Sequence, residues 1–207
     1  MNKTIEVLYS FVKVIDGNKT SPIHLDNGNM NQINNPQVEF ISSSETLDLR
    51  KRILRPGQIK KPEDIKLCQY PEDDFESTFH LGIRLHNLSH DLPSRDIAIN
   101  TNEKNKIICN GTFIQQANPE HFQNAKKPYR LRGMATETEF QNKGLGRTIL
   151  TAAIVELKKR DCDLLWFNAR TSAEYFYQKL GFGTIGNVFD LPMIGPHKVM
   201  YIEFKNR

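Results

Sequence analysis

Gln141-Asn142-Lys143-Gly144-Leu145-Gly146-Arg147 separates a strand-like segment, Tyr129 to Thr136, from the longest regular stretch of the chain. In that stretch Leu150, Ala153, Ile154 and Leu157 recur at i, i+3, i+4 and i+7, which lays one apolar stripe along a helix. Lys158, Lys159 and Arg160 crowd its far end, where the helix dipole favours cations. The first amides of such a helix have no internal acceptor. Glycines among them let a ligand approach the backbone with no Cβ in the way. The segment therefore predicts an anion site suited to a diphosphate, with Lys143 and Arg147 adding charge and forked donors.

Other phosphate motifs fit less well. A Walker loop needs GxxxxGK followed by Ser or Thr, and a dinucleotide fingerprint needs a third glycine where Ile149 stands. A literal GxGxxG does occur at Gly181-Phe182-Gly183-Thr184-Ile185-Gly186. It follows a helix and leads towards a strand, the reverse of the required context, so it reads as a helix stop and a turn. Taken alone, Gly144-x-Gly146 fits an ordinary flexible helix start as well as a phosphate loop.

Working outward, strands and helices interleave. Val38 to Ile41 reads as a strand, and Ser43 or Ser44 caps a helix marked by Leu47, Arg50 and Leu54 and stopped at Arg55-Pro56-Gly57. Gln58 to Ser77 is a charged, proline-bearing loop, and Thr78 to Leu85 alternates as a strand should. Asn87 to Asn105 is expected to be a long loop with a short strand at Ile97 to Ile99. Lys106 to Gln115 is a strand and Asn118 to Pro128 a loop. Beyond the long helix come a short strand at Asp163 to Phe167 and a helix capped by Thr171 or Ser172. That helix carries Ala173, Phe176, Tyr177 and Leu180 on its apolar face and stops at Gly181. Lys198 to Phe204 is the last strand. Before Val38, Thr4 to Ile15 alternates, and Asp26 to Pro36 is polar and turn-rich. Residues 1–37 are therefore expected to be an extension or linker that adds an edge strand at most. The interleaving predicts a mixed α/β sheet covered by helices.

Composition narrows the class. The chain has 207 residues, 38% of them hydrophobic and 25% charged, with a formal net charge of +4. That suits one globular domain with one sizeable core. No apolar run approaches the roughly 20 residues needed to cross a bilayer. Glu6, Lys13 and Asp16 interrupt any apolar run near the N-terminus, so no secretory signal and a cytoplasmic location are expected. Cys68, Cys109 and Cys162 are far apart and odd in number, which reads as reduced thiols with no metal site. The basic residues are scattered rather than striped, so no nucleic-acid or membrane partner is expected.

Together these stretches resemble the GNAT (GCN-five-related N-acetyltransferase) superfamily. The Q/R-x-x-G-x-G/A coenzyme A signature matches Gln141-Asn142-Lys143-Gly144-Leu145-Gly146. The A-x-x-F-Y-x-K-L-G-F helix matches Ala173 to Phe182. The strand Arg130-Leu131-Arg132-Gly133-Met134-Ala135-Thr136 and the ending Gly195-Pro196-His197-Lys198-Val199-Met200-Tyr201 are similar to family members. Weaker similarity at Leu49-Arg50, Leu54 to Gly57 and Thr78 to Gly82 extends the resemblance to about residues 38–207.

The resemblance implies the acyl-CoA N-acyltransferase fold: a mixed, mostly antiparallel sheet, splayed in the middle and flanked by helices. It implies acetyl-CoA as co-substrate, no metal, and direct attack by a primary amine of a small molecule or of a protein N-terminus, with a homodimer as one possible assembly. In the family, the backbone of Met134, Ala135 and Thr136 pairs with the pantetheine arm. Residues Gln141, Asn142, Lys143, Gly144, Leu145, Gly146 and Arg147 receive the diphosphate, and Asn168 joins the coenzyme-binding set. Tyr177 takes the general-acid place, although from spacing alone an aromatic there reads as core. For the base, Glu137, Glu139, His197 and a water-mediated route are all open. Arg130 and Arg132 either end a solvated strand or favour an acceptor bearing a carboxylate or phosphate. A non-catalytic acyl-CoA-binding module is the alternative to an enzyme.

Overall fold

The computed structural model describes residues 14–15, 36–88 and 105–204. In chain order the elements are β1 (Val14–Ile15), β2 (Val38–Ile41), α1 (Ser43–Leu49), β3 (Phe79–Arg84), β4 (Ile107–Gln115), β5 (Pro128–Thr136), α2 (Leu145–Lys159), β6 (Leu164–Arg170), α3 (Glu174–Gln178), β7 (Gly183–Leu191) and β8 (Gly195–Glu203). The strands form one sheet in the order β1-β2-β3-β4-β5-β6-β8-β7. Every neighbouring pair is antiparallel except β1 with β2 and β5 with β6. The expected mixed, mostly antiparallel sheet flanked by helices is what forms.

Alternation along the strands sorts side chains onto two faces. Phe79, Leu81, Ile83, Ile108, Phe113, Tyr129 and Leu131 pack against Ile149, Leu150, Ala153, Ile154 and Leu157 of α2 in the main core. Each large apolar side chain so buried contributes about 1.5–3 kcal/mol. The opposite face carries α1, through a smaller cluster of Ile41, Leu49, Ile107 and Ala135. Further along that face, Leu164, Trp166 and Val199 pack with Phe122, Phe189 and Tyr201.

Several local expectations shift. The cap of α1 is Ser42, whose backbone N–H donates to Glu45 at 2.8 Å, one residue before the predicted caps. The buried stripe of this helix is Thr46, Leu49 and Arg50 rather than Leu47 and Leu54, and Arg50–Leu54 continues it as a wider π turn. The loop after it contains a 3-10 turn at Pro62–Cys68. α3 is preceded by a 3-10 turn at Thr171–Ala173, so neither Thr171 nor Ser172 caps it, and Phe176 stays exposed. Periodicity assigns no strand to Gly183–Leu191, yet β7 forms there; Gly183, Gly186 and Asn187 interrupt the pattern, and its register with β8 slips between Ile185 and Phe189. Val14–Ile15 pairs in parallel with Val38 and Glu39. The rest of the Thr4 to Ile15 stretch, the Asp26 to Asn35 run and the expected strand at Ile97 to Ile99 lie outside the described residues. Among those described, no helix is long and apolar enough to cross a membrane.

Beneath α1 lies a buried polar network. Arg50, 0% exposed, reaches Asp73, 7% exposed, through Nη1 to Oδ2 at 2.7 Å and Nη2 to Oδ1 at 2.9 Å. Nη1 also donates to the Cys68 carbonyl at 2.9 Å, and Nη2 to Thr112 Oγ1 at 2.5 Å. His80 Nε2 donates to the Asp73 carbonyl at 2.9 Å, which leaves Nδ1 to accept from the Thr112 hydroxyl at 2.8 Å. A buried charge pair of this kind is tolerable because further bonds satisfy most of its donors and acceptors; Arg50 Nε alone is buried without an acceptor.

Burial holds the His80 imidazole below its ordinary value of 6.5, and nearby Arg50 adds to the effect. The folded chain thus resists a proton that the unfolded chain accepts, so stability falls as pH drops from about 6.5 towards the lowered folded value. Urea midpoints should decline over that window and the decline should flatten in His80→Gln; an unchanged slope would remove His80 as its source.

Candidate active site

The two central parallel strands separate. β5 and β6 pair only at Pro128 with Leu164, Tyr129 with Leu165 and Arg130 with Trp166. Beyond that point β5 continues beside β4 to Thr136, and β6 beside β8 to Arg170. Their facing edges, from Leu131 and from Phe167 onward, share no ladder. The peptide groups along such an edge are available to an extended ligand.

A bulge re-aims β5 within this gap. Arg132 pairs with Thr112 and Ala135 with Asn110, so one extra residue is fitted into β5. Gly133 takes φ +60° there, and Asn110 Nδ2 holds its carbonyl at 2.9 Å. A Cβ on Gly133 would stand 2.7 Å from Arg50 Nε. The buried Arg50 network is therefore the floor on which the bulge rests.

The loop after β5 leads into α2 through two left-handed residues, Asn142 at φ +60° and Gly144 at φ +89°. Gly144 is the N-cap, and the first bond into the helix runs from Thr148 N–H to the Gly144 carbonyl at 3.0 Å. The amides of Leu145, Gly146 and Arg147 consequently have no acceptor within the helix. Buried Leu145 anchors this turn in the core while Gly144 has open space where a Cβ would be. A Cβ on Gly146 would lie 3.3 Å from Met134 Cε and from Phe176 Cζ, so that glycine borders the gap. Gln141 donates from Nε2 to the Thr136 carbonyl at 3.1 Å, tying the loop back to the strand end. Lys143 Nζ stands 5.7 Å over the Phe140 ring, and Arg147 is exposed. Met134, Ala135, Thr136 and Gln141 to Arg147 thus converge on one end of the gap.

Tyr177 lies on the α2 side of the sheet. Its ring packs 4.5 Å from Phe167 and 5.9 Å from Phe182. Burial pushes its phenol well above the ordinary value, and the neighbouring Cys109 acts in the same sense. The phenol therefore stays protonated throughout the neutral range. Burial also pushes the Cys109 and Cys162 thiols up to about 12, and raises that of Cys68. None of the three is an activated thiolate.

Residues next to Phe167 on β6 point the other way. Trp166 and Asn168 line a cavity of about 670 Å³ on the α1 side, directly where the β5–β6 pairing ends. Asn168 is thereby separated from Tyr177 by the plane of the sheet. Arg130, Glu120, His121 and Phe189 also face this cavity. Glu120 and His121 escaped the sequence reading because they sit in a turn-rich loop with no periodicity; only the fold of the loop, pinned by Asn118 Oδ1 accepting from both of their amides, turns them towards β6.

The three expected bases do not line the cavity. Burial alone would raise the Glu137 carboxyl, but Arg52 and Lys106, the latter at 3.4 Å, hold it below the usual range and occupy it in ion pairs. His197 is buried with Nδ1 donating to the Gly195 carbonyl at 2.7 Å. Glu139 is exposed on the 3-10 turn Thr138–Phe140. Arg132 pairs with Glu72 at 3.7 Å and lies 3.8 Å over the Tyr70 ring, so of the two strand arginines only Arg130 reaches the cavity.

The profile of the acetyltransferase (GNAT) domain matches residues 98–184. The uncharacterized N-acetyltransferase YitI of Bacillus subtilis (strain 168) is 33% identical over 165 residues, covering 80% of this chain and 94% of that one. Among solved structures, Escherichia coli ElaA has a TM-score of 0.55 at 13% identity, over 81% of this chain and 99% of ElaA. An acetyltransferase of the GNAT family from Staphylococcus aureus Mu50 has a TM-score of 0.53 at 18% identity, over 81% of this chain and 99% of that chain. An aminoglycoside 6'-N-acetyltransferase complexed with coenzyme A has a TM-score of 0.52 at 12% identity, over 80% and 92%. At such identities the solved structures establish the fold.

Because Gly133 combines a left-handed φ with contact to Arg50, Gly133→Ala should destabilise the protein by about 1–3 kcal/mol. Chemical unfolding measures this directly, and a wild-type midpoint would show that the bulge is not under that constraint.

Proposed function

Because this chain belongs to the GNAT acetyltransferase family, we propose that it transfers the acetyl group of acetyl-CoA to the primary amine of a small molecule by direct attack. The observation that carries this reading is the unpaired gap between β5 and β6, with unsatisfied helix amides at one end and the protonated phenol of Tyr177 beside it. On this reading residues 38–207 form the transferase unit, and residues 1–37 precede it.

The residues present fit the coenzyme. Its diphosphate meets the N–H groups of Leu145, Gly146 and Arg147, the positive end of the α2 dipole, and the charges of Lys143 and Arg147. Gly144 keeps that approach clear of a Cβ. The pantetheine arm suits the open edge at Met134, Ala135 and Thr136, where amide-to-amide bonds extend the sheet.

Attack of an amine on a thioester moves negative charge first onto the carbonyl oxygen and then onto sulfur. The strand edge that carries the bulge at Gly133 borders the gap, and on this reading a fixed backbone N–H there stabilises the first charge without reorganisation. On this reading the Tyr177 O–H protonates the departing sulfur, since a raised phenol holds its proton at neutral pH. The incoming ammonium must lose a proton before it attacks. His121, on the cavity wall, has the imidazole chemistry for that task. The high thiol values of all three cysteines favour direct transfer over an acyl-enzyme.

Two outcomes test the reading. Acetyl-CoA should protect the wild type against thermal unfolding, and Gly144→Val should lose most of that protection, because its φ of +89° and the blocked approach both oppose binding. Tyr177→Phe should keep the protection yet slow thiol release in the presence of an amine by about 10²-fold. Protection without turnover towards any amine would favour the non-catalytic coenzyme-binding alternative. Turnover unchanged in Tyr177→Phe would exclude the phenol as proton donor.

A further inference from the structure

The cavity on the α1 side contains a positive charge that has no ion-pair partner among the described residues. Arg130 lies on its wall with the guanidinium 4.7 Å over the Trp166 ring. Among the described residues its side chain donates one hydrogen bond, from Nη1 to the neutral amide oxygen of Gln116 at 3.0 Å. Its Nε is buried without an acceptor. Among the described residues no carboxylate comes within ion-pair distance of Arg130, although Arg132 two positions on has Glu72 at 3.7 Å. Burial, together with the like charge of Arg132, lowers the Arg130 guanidinium to about 10, whereas Glu72 and Tyr70 oppose that shift. A guanidinium kept in this state retains forked donors that match a carboxylate and lacks the counter-ion that burial calls for.

We propose that the cavity receives a primary amine that also carries a carboxylate, of amino-acid size, with Arg130 as the receptor for the carboxylate. The proposal rests on the acetyltransferase reading for the role of the amine, and goes beyond it in naming the acceptor class. The surroundings suit that class. Trp166, Val199 and Phe189 give the cavity an apolar wall for a hydrophobic side chain. Glu120 is exposed and also lines the cavity, so it offers the ammonium end an opposite charge before deprotonation. His121 lines it as well, and Arg132 stays engaged with Glu72 and Tyr70. The volume of about 670 Å³ accommodates an aromatic or branched amino acid with its solvation. Trp166 fixes the plane of the guanidinium while its own Nε1 donates to the Gln116 carbonyl at 2.8 Å. The receptor is thereby held on both sides by residues that belong to the sheet and its adjoining loop.

The test compares matched pairs that differ by one carboxylate. Tyrosine against tyramine and phenylalanine against phenethylamine are offered with acetyl-CoA, and kcat/KM is measured for each. The carboxylated member should be preferred by about 10–100-fold, the range of a charge-assisted hydrogen-bonded contact. In Arg130→Gln that ratio should collapse, chiefly through a higher KM for the carboxylated member, and Arg130→Lys should restore part of it. In parallel, N-acetyltyrosine and N-acetyltyramine are compared for protection against thermal unfolding, which needs no turnover. Stronger protection by N-acetyltyrosine, lost in Arg130→Gln, supports the receptor even if no amine is acetylated, in which case the transferase reading alone fails. Turnover of the amines with no preference for the carboxylate, or stronger protection by N-acetyltyramine, overturns the inference and leaves the transferase reading standing.

Discussion

The site depends on one interrupted ladder. Parallel β5 and β6 hold each other over three residue pairs and then part, although both strands continue. Backbone amides and carbonyls on a strand edge need partners wherever water is excluded. Here the facing edges find none in each other, and their outer edges are already occupied by β4 and β8. A ligand with its own amides can complete the sheet. Everything else at the site is arranged around that opening.

The opening is kept in place by groups far from it in the chain. Arg50 from the end of α1, Asp73 from a loop, and His80 and Thr112 from two strands meet in a buried network below Gly133. Such a network is costly to disturb, because each partner removed leaves another polar group buried and unpaired. Its location under the β5 bulge concentrates rigidity at that turn of the strand. The Tyr70 ring extends the arrangement outward, with Arg50 at 4.2 Å on one ring contact and Arg132 at 3.8 Å on another. That engagement accounts for why Arg132 is unavailable to the cavity and Arg130 is not.

Alternation along β6 then divides the chemistry between two faces. Phe167 touches Tyr177 on the side of α2, while Trp166 and Asn168 line the cavity on the side of α1. Two ligands approaching from opposite faces can meet only in the gap, where no side-chain layer intervenes. The Tyr177 phenol and the cavity-lining side chains therefore lie on opposite faces and do not compete for the same space.

Much of this was legible in the sequence because it is local. The turn into α2, with glycine at the Gly144 cap, an amphipathic helix after it and a strand before it, lies within about 30 consecutive residues. The stop at Gly181 and the inward place of Tyr177 follow from helical spacing and from the resemblance in the same way. The sequence did not reveal that Arg50 would be buried rather than amphipathic, that β7 would form through three interruptions of its pattern, or that Glu137 would be engaged by Arg52 and Lys106. Nor did it separate Arg130 from Arg132, which alternate identically on one strand. Those outcomes were decided by tertiary structure, because which charges meet, and which are left without a partner, depends on segments that are distant in the chain and brought together only by packing.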